Sequence, residues 1–262
     1  MLRIGTCKLC LRPHQVLQRS HLMGRALYRM SRDPTAWNPN PIVITRKTTK
    51  PISRQIADYL LCHNCERLLN ENGEAWMVTQ VFNGRDFPLM DRLNVAVPIQ
   101  RAPSVEMFSG TQIGLNMERL AYFALSVFWR GSVHRWRLHD GSIVFNPLGA
   151  FEEPIRRFLV GEAGFPTDVS LVAIACTDSA SQGSFYTPAK IKGVSYTGHG
   201  MLVRGVHFRM FTGTSFPQVV RNICCYTGPQ RPIMKASCQR ISLEAFRFLH
   251  ATSRPSVELG SP

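Results

Sequence analysis

LLCHNCERLL, residues 60–69, places Cys62 and Cys65 two residues apart where an apolar run turns into a helical pattern. Cys7 and Cys10 of CKLC repeat that spacing near the start of the chain. Four thiolates suit a tetrahedral zinc ion, and a two-residue gap lets both sulfurs of a pair reach it. In a reducing compartment such paired units point to metal rather than to disulfides, with an iron–sulfur cluster as the competing occupant. A closed four-cysteine site leaves no position for substrate, so this zinc is expected to be structural. The distance between the pairs requires an insertion that loops out between them. Cys176, Cys224, Cys225 and Cys238 lack comparable spacing; Cys176 sits in an apolar run and reads as a small buried hydrophobe.

The charge around this staple is uneven. The 262 residues carry 31 Lys+Arg against 17 Asp+Glu, a formal net charge of +14. Residues 1–70 alone hold twelve basic and three acidic side chains. Such clustering favours a polyanionic partner, nucleic acid before an acidic membrane surface. Arg12, Arg19, Arg25, Arg29, Arg32, Arg46, Lys47, Lys50 and Arg54 lie between or beside the cysteine pairs, where phosphate contacts would supply affinity without sequence information. RGSVHRWRLH, residues 130–139, interleaves Arg130, His134, Arg135 and Arg137 with Trp136, a pattern able to stack on a single strand. Its competing reading makes Trp129 and Trp136 core anchors. The apolar run 120–129 is too short to span a bilayer and is closed by Arg119 and Arg130. The first residues do not read as a secretory leader. A cytoplasmic location without membrane contact is therefore expected.

Hydrophobic content of 44% with 18% charged residues predicts a folded globular chain. HQVLQRSHL reads as a hairpin arm ending near Ser20-His21, residues 24–32 as a short basic helix, and 33–41 as a Pro/Asn-rich loop. IVITRKTTKPI reads as a strand and basic turn. A helix is expected from CHNC onward, with Leu68, Leu69 and Trp76 as packing positions. Prolines and glycines break residues 79–116 into loops and short strands such as LNVAVPI. Residues 117–137 carry the strongest helical period, a long amphipathic helix, and 152–161 a second helix opened by acids and proline and closed by glycine. Residues 170–177 and 192–213 then read as strands. The expected class is α+β: a zinc-bound unit over 1–78, a larger α+β region over 79–250 with the long amphipathic helix and C-terminal strands, and a flexible tail over 251–262.

A Cys-x-x-Cys knuckle, a histidine ending a hairpin strand, and a Cys-x-x-Cys opening a helix together resemble the HNH, or ββα-metal, nucleases. RSHL with His21 and LLCHNCE with Glu66 after Cys65 look most like the zinc-stapled treble-clef branch related to phage endonuclease VII. The resemblance covers about residues 5–78. It implies a metal-dependent endonuclease, a hydrolase of nucleic-acid phosphodiesters with DNA favoured over RNA, in phage defence or a mobile element. By the same resemblance His21 is the general base, and Glu66 holds a catalytic Mg2+ or Mn2+ ion. An imidazole titrating near neutrality suits the first role and a hard carboxylate oxygen the second. Ser20 departs from the pattern, since the family places a metal-binding Asp or His there; His14, His63 and Asn64 are the candidates to replace it. Two other readings stand beside the enzyme. One is a non-catalytic zinc-dependent nucleic-acid binder, with Ser20 in its favour. The other is a basic scaffold subunit, with a protein partner met through the C-terminal region.

Overall fold

The computed structural model describes residues 2–32, 38–45, 47–84, 86–191, 197–214, 216–239 and 254–255. Part of the Pro/Asn-rich loop, residue 46, the start of the 192–213 segment and most of the C-terminal tail lie outside them.

The N-terminal third is built on a small antiparallel sheet in the order β1 (Arg3–Gly5), β2 (Gln15–His21) and β5 (Ala57–Cys62). Between β2 and β5 the chain forms α1 (Arg25–Met30) and a separate hairpin, β3 (Ile42–Ile44) with β4 (Thr48–Pro51). This is the insertion that the cysteine spacing demands. β2 pairs with β5 through Leu17↔Cys62 and His21↔Ala57, with a bulge at Gln18/Arg19. A regular strand alternates its side chains between two faces. The bulge breaks that alternation, so consecutive Leu60, Leu61 and Cys62 are all buried.

β5 runs directly into α2 (His63–Leu69), a π-helical turn over Asn70–Glu74, and α3 (Ala75–Val81). Gly73 lets this rod touch its neighbour: a Cβ there would stand 2.9 Å from the Phe123 Cα. The neighbour is α5 (Met117–Val133). Asn116 caps it by accepting from the Arg119 amide at 2.9 Å. The expected amphipathic helix is instead buried on nearly every side from Leu120 to Ser132, because the N-terminal helices and a large sheet enclose it. It also ends at Val133 rather than 137; the chain then turns into a short pair, β8 (Trp136–Arg137) with β9 (Ile143–Val144). Trp129 and Trp136 are fully buried, as core anchors.

LNVAVPI does not form the expected strand. Pro88 opens α4 (Pro88–Val95), and its missing N–H costs nothing at the first helical position. The hairpin β6 (Gln100–Ala102) with β7 (Val105–Ser109) follows. After α6 (Glu152–Leu159) come β10 (Val169–Cys176), β11 (Phe185–Lys190), β12 (Thr197–Val203), β13 (Val206–Thr212) and β14 (Pro232–Ala236). They join the earlier hairpin in a seven-stranded sheet, order β11-β12-β13-β10-β14-β7-β6, with β10 and β14 parallel. The overall class is mixed α+β, and one apolar cluster runs from Cys7 to Ile233. The expected boundary at residue 78 falls inside α3.

One expectation changes here. Cys176 is buried but is no free thiol: it is joined to Cys238 by a disulfide. Arg254–Pro255 pair in parallel with Thr48–Thr49 of β4.

Candidate functional site

Cys7 and Cys10 lie in the turn after β1, while Cys62 ends β5 and Cys65 stands in the first turn of α2. The register of β2 against β5 brings the pairs together. The four sulfurs lie within 4.8 Å of one another, and Cys10 Sγ is 3.9 Å from Cys62 Sγ. A tetrahedral zinc with Zn–S bonds of about 2.3 Å sets sulfurs roughly 3.8 Å apart, so this donor set fits after the sulfurs close in by up to about 1 Å. The Cys62 amide donates to Cys7 Sγ at 3.3 Å, and the Lys8 amide to the Leu60 carbonyl at 3.2 Å. A hydrogen bond from Cys65 and neighbouring amides pull the Cys7 thiol down to about 4. The Cys10 thiol is pushed up by burial, and Cys65 is pushed up chiefly by its contact with Cys7. Crowded thiols compete for negative charge, a competition that a dication relieves. Four cysteines positioned to bind a metal ion are consistent with structural zinc.

The C-terminal region holds the knuckle from behind. Arg156 of α6, nearly buried, donates to the Leu9 carbonyl at 2.8 Å while Glu153 and Glu162 bind its other nitrogens.

His21 ends β2, half-buried, its ring 6.3 Å from that of Tyr28 on α1. Burial and then the Arg19 charge lower its pKa, so the imidazole is neutral at pH 7. Glu66 stands on the first full turn of the helix rod. Burial raises its pKa against the pull of Arg130 and a Ser20 hydroxyl contact, and its Oε1 is buried without a hydrogen-bond partner. Ser20 is fully buried and accepts from the Leu61 amide at 3.1 Å. It therefore ties β2 to β5, and its hydroxyl contact with Glu66 reaches the rod. His14, His63 and Asn64, the expected substitutes for it, are all exposed.

Glu74 is an acidic group that acts on His21, raising its pKa against burial and the arginine charges. Eight residues of regular α-helix overshoot two turns by about 80°. The wider i→i+5 turn of Asn70–Glu74 takes up that surplus and keeps Glu74 on the side of Glu66, whose pKa it raises. Gly24 leaves room for this carboxylate, since a Cβ there would lie 2.7 Å from Glu74 Oε2. Arg130 of α5 closes the group. Its guanidinium, 1% exposed, bonds Glu74 Oε1, the His21 carbonyl at 2.8 Å and the Ser126 carbonyl at 3.3 Å. Arg130 is thus an internal strut, not the nucleic-acid contact suggested by residues 130–139. Glu74, and the role of Arg130, are what sequence reasoning missed. The available signals were a further glutamate eight positions after Glu66 and an arginine set late in an apolar helix whose other arginine, Arg119, stands in the first turn.

Outside this cluster a cavity of about 220 Å3 opens between α1, the β3–β4 hairpin and the segment after β8. Arg25 and Arg29 line it, with Arg32, Arg54, Arg137 and His139. Tyr28 joins it to His21. No carboxylate lines it, and no ion pair among the described residues involves any of these five arginines. Arg19 and Lys47 are exposed elsewhere on the unit, and Lys50 is half-buried near His139. Arg46 lies outside the described residues.

No family model, curated protein or solved structure matches the chain. Among the described residues no helix is long and apolar enough to cross a membrane.

Proposed function

We propose that this chain is a zinc-stapled, HNH-like endonuclease of treble-clef type that cleaves nucleic-acid phosphodiesters. The observation that carries the reading is that Glu74 acts on both His21 and Glu66, beside a cleft lined by five arginines that form no ion pair among the described residues. In this reading the zinc staple fixes the rod against the hairpin, so that a neutral imidazole stands near the half-buried Glu74 carboxylate. In this reading the arginines hold the phosphate backbone, and His21 takes the proton of the attacking water. Glu66, with its unpartnered Oε1, would hold a magnesium-like ion, whose role when bound is to neutralise charge at the scissile phosphate. DNA is the favoured substrate, and phage defence or a mobile element the favoured setting.

A specific observation favours a binding-only alternative. Arg130 already neutralises Glu74 and lies beside Glu66, occupying the charge that a divalent cation would otherwise meet. The two readings separate in one experiment. Wild type and His21→Ala, matched for zinc content, are incubated with supercoiled plasmid and with a single-stranded circle in Mg2+ or Mn2+. Cleavage by wild type alone is the expected result. Salt-sensitive binding without cleavage in either ion would overturn the catalytic reading and leave the binder.

A further inference from the structure

We infer that the arginine cleft and the hollow beside it form a track for single-stranded nucleic acid, phosphate on one side of α1 and base on the other. This rests on the nucleic-acid reading above and narrows it to a strand state.

Two cavities share Arg29 and Arg32 as a common wall. The first is the cationic one of about 220 Å3. It is closed in by a helix and two hairpins, which leaves room for a phosphate and sugar but not for a duplex about 20 Å across. The second is a wider hollow of about 780 Å3, lined by Met30, Pro39, Val78 and Phe82 in addition to the two arginines. Its size and apolar lining suit a flat aromatic group. A cationic groove joined to an aromatic platform is the arrangement by which single strands are held, since every base has a face to stack.

The Phe82 platform is held by a costly local structure. Arg204 and Gly205 form the two-residue turn between β12 and β13, both at positive φ (40° and 80°). Asn or Gly normally fills the first position. Here an arginine does, and its guanidinium stacks 4.3 Å from the Phe82 centroid while donating to the Met30 carbonyl at 2.8 Å. Gly205 packs so closely that a Cβ would stand 2.7 Å from the Phe87 ring. The tip of the large sheet thereby reaches the N-terminal unit and fixes one wall of the hollow. This gives the C-terminal region a positioning role in the track.

The test is fluorescence anisotropy of a labelled 20-nucleotide single strand and the same sequence as a duplex, without divalent ion, over a salt series. Adenosine monophosphate and inorganic phosphate serve as competitors. The single strand is expected to bind at least tenfold more tightly than the duplex. Arg54→Glu, at an exposed position, should weaken the strand about tenfold and flatten the salt slope by about 0.7. Phe82→Ala should weaken it at least fivefold with the slope unchanged. Equal or tighter duplex binding overturns the strand assignment while the nucleic-acid reading stands. Displacement by the mononucleotide at lower concentration than by the strand assigns the cavities to a free nucleotide and also overturns it. Loss of all binding partners removes the nucleic-acid reading itself. If Phe82→Ala fails to fold, Arg54→Glu decides through the strand-to-duplex ratio and the slope.

Discussion

Replacing Arg130 by methionine removes the cation that holds the centre of the molecule. The guanidinium is 1% exposed and its partner Glu74 14%, so water does not take over when it is lost. Methionine keeps the packing volume but leaves the Glu74 carboxylate and the His21 carbonyl without their donor. Breaking a buried pair from one side costs about 3–5 kcal/mol. That is a large share of a typical total stability of about 5–15 kcal/mol. Arg130→Met combined with Glu74→Gln removes both charges, and should recover at least half of the loss through a coupling of about 1.5–3 kcal/mol. The assay is urea denaturation of wild type, both single variants and the double variant, in zinc-replete buffer, followed by Trp fluorescence, since Trp136 Nε1 donates to the Arg130 carbonyl at 2.7 Å. A cost below about 1 kcal/mol for Arg130→Met, or strict additivity in the cycle, would refute the strut.

The remaining expectations concern pH, the knuckle and the helix contact. Burial lowers the pKa of His199 to about 4 and of His207 to about 3, and that of His21 below its ordinary 6.5. Below pH 6.5 the unfolded chain takes up protons that the folded one refuses. Stability should therefore be fully present above about pH 6.5 and fall as the pH drops toward 4, read as a declining urea midpoint; a flat profile would contradict it. Arg156→Ala frees the Leu9 carbonyl and should speed zinc release to a chromogenic chelator several-fold, with little change in overall secondary structure. Chelation itself should unfold the N-terminal sheet, seen as new proteolytic cuts between residues 1 and 81. Gly73→Ala places a methyl 2.9 Å from the Phe123 Cα and should cost about 1–3 kcal/mol, visible as a lowered Tm.

What the chain states locally could be read from it directly. Cys7, Cys10, Cys62 and Cys65 announce a metal staple because two-residue spacing and thiol chemistry are short-range facts, and the structure brings those four sulfurs together. The basic excess around them was equally plain. Only the tertiary structure could decide what those charges do. Arg25, Arg29, Arg54 and Arg137 face one cavity, whereas Arg130 and Arg156, of the same type, are internal struts. Sequence does not distinguish them, because the difference lies in which carboxylates and carbonyls the fold delivers to each guanidinium. The helix at 117–133 shows the same limit: its period fixed where one apolar face lies, but its other faces were buried by the N-terminal helices and a sheet built from distant strands. Glu74 was hidden because a π turn resets the angle along its rod, and that turn forms where Gly73 lets the rod press against α5. Covalent spacing set the staple; long-range packing and the desolvation of charge set the site around it.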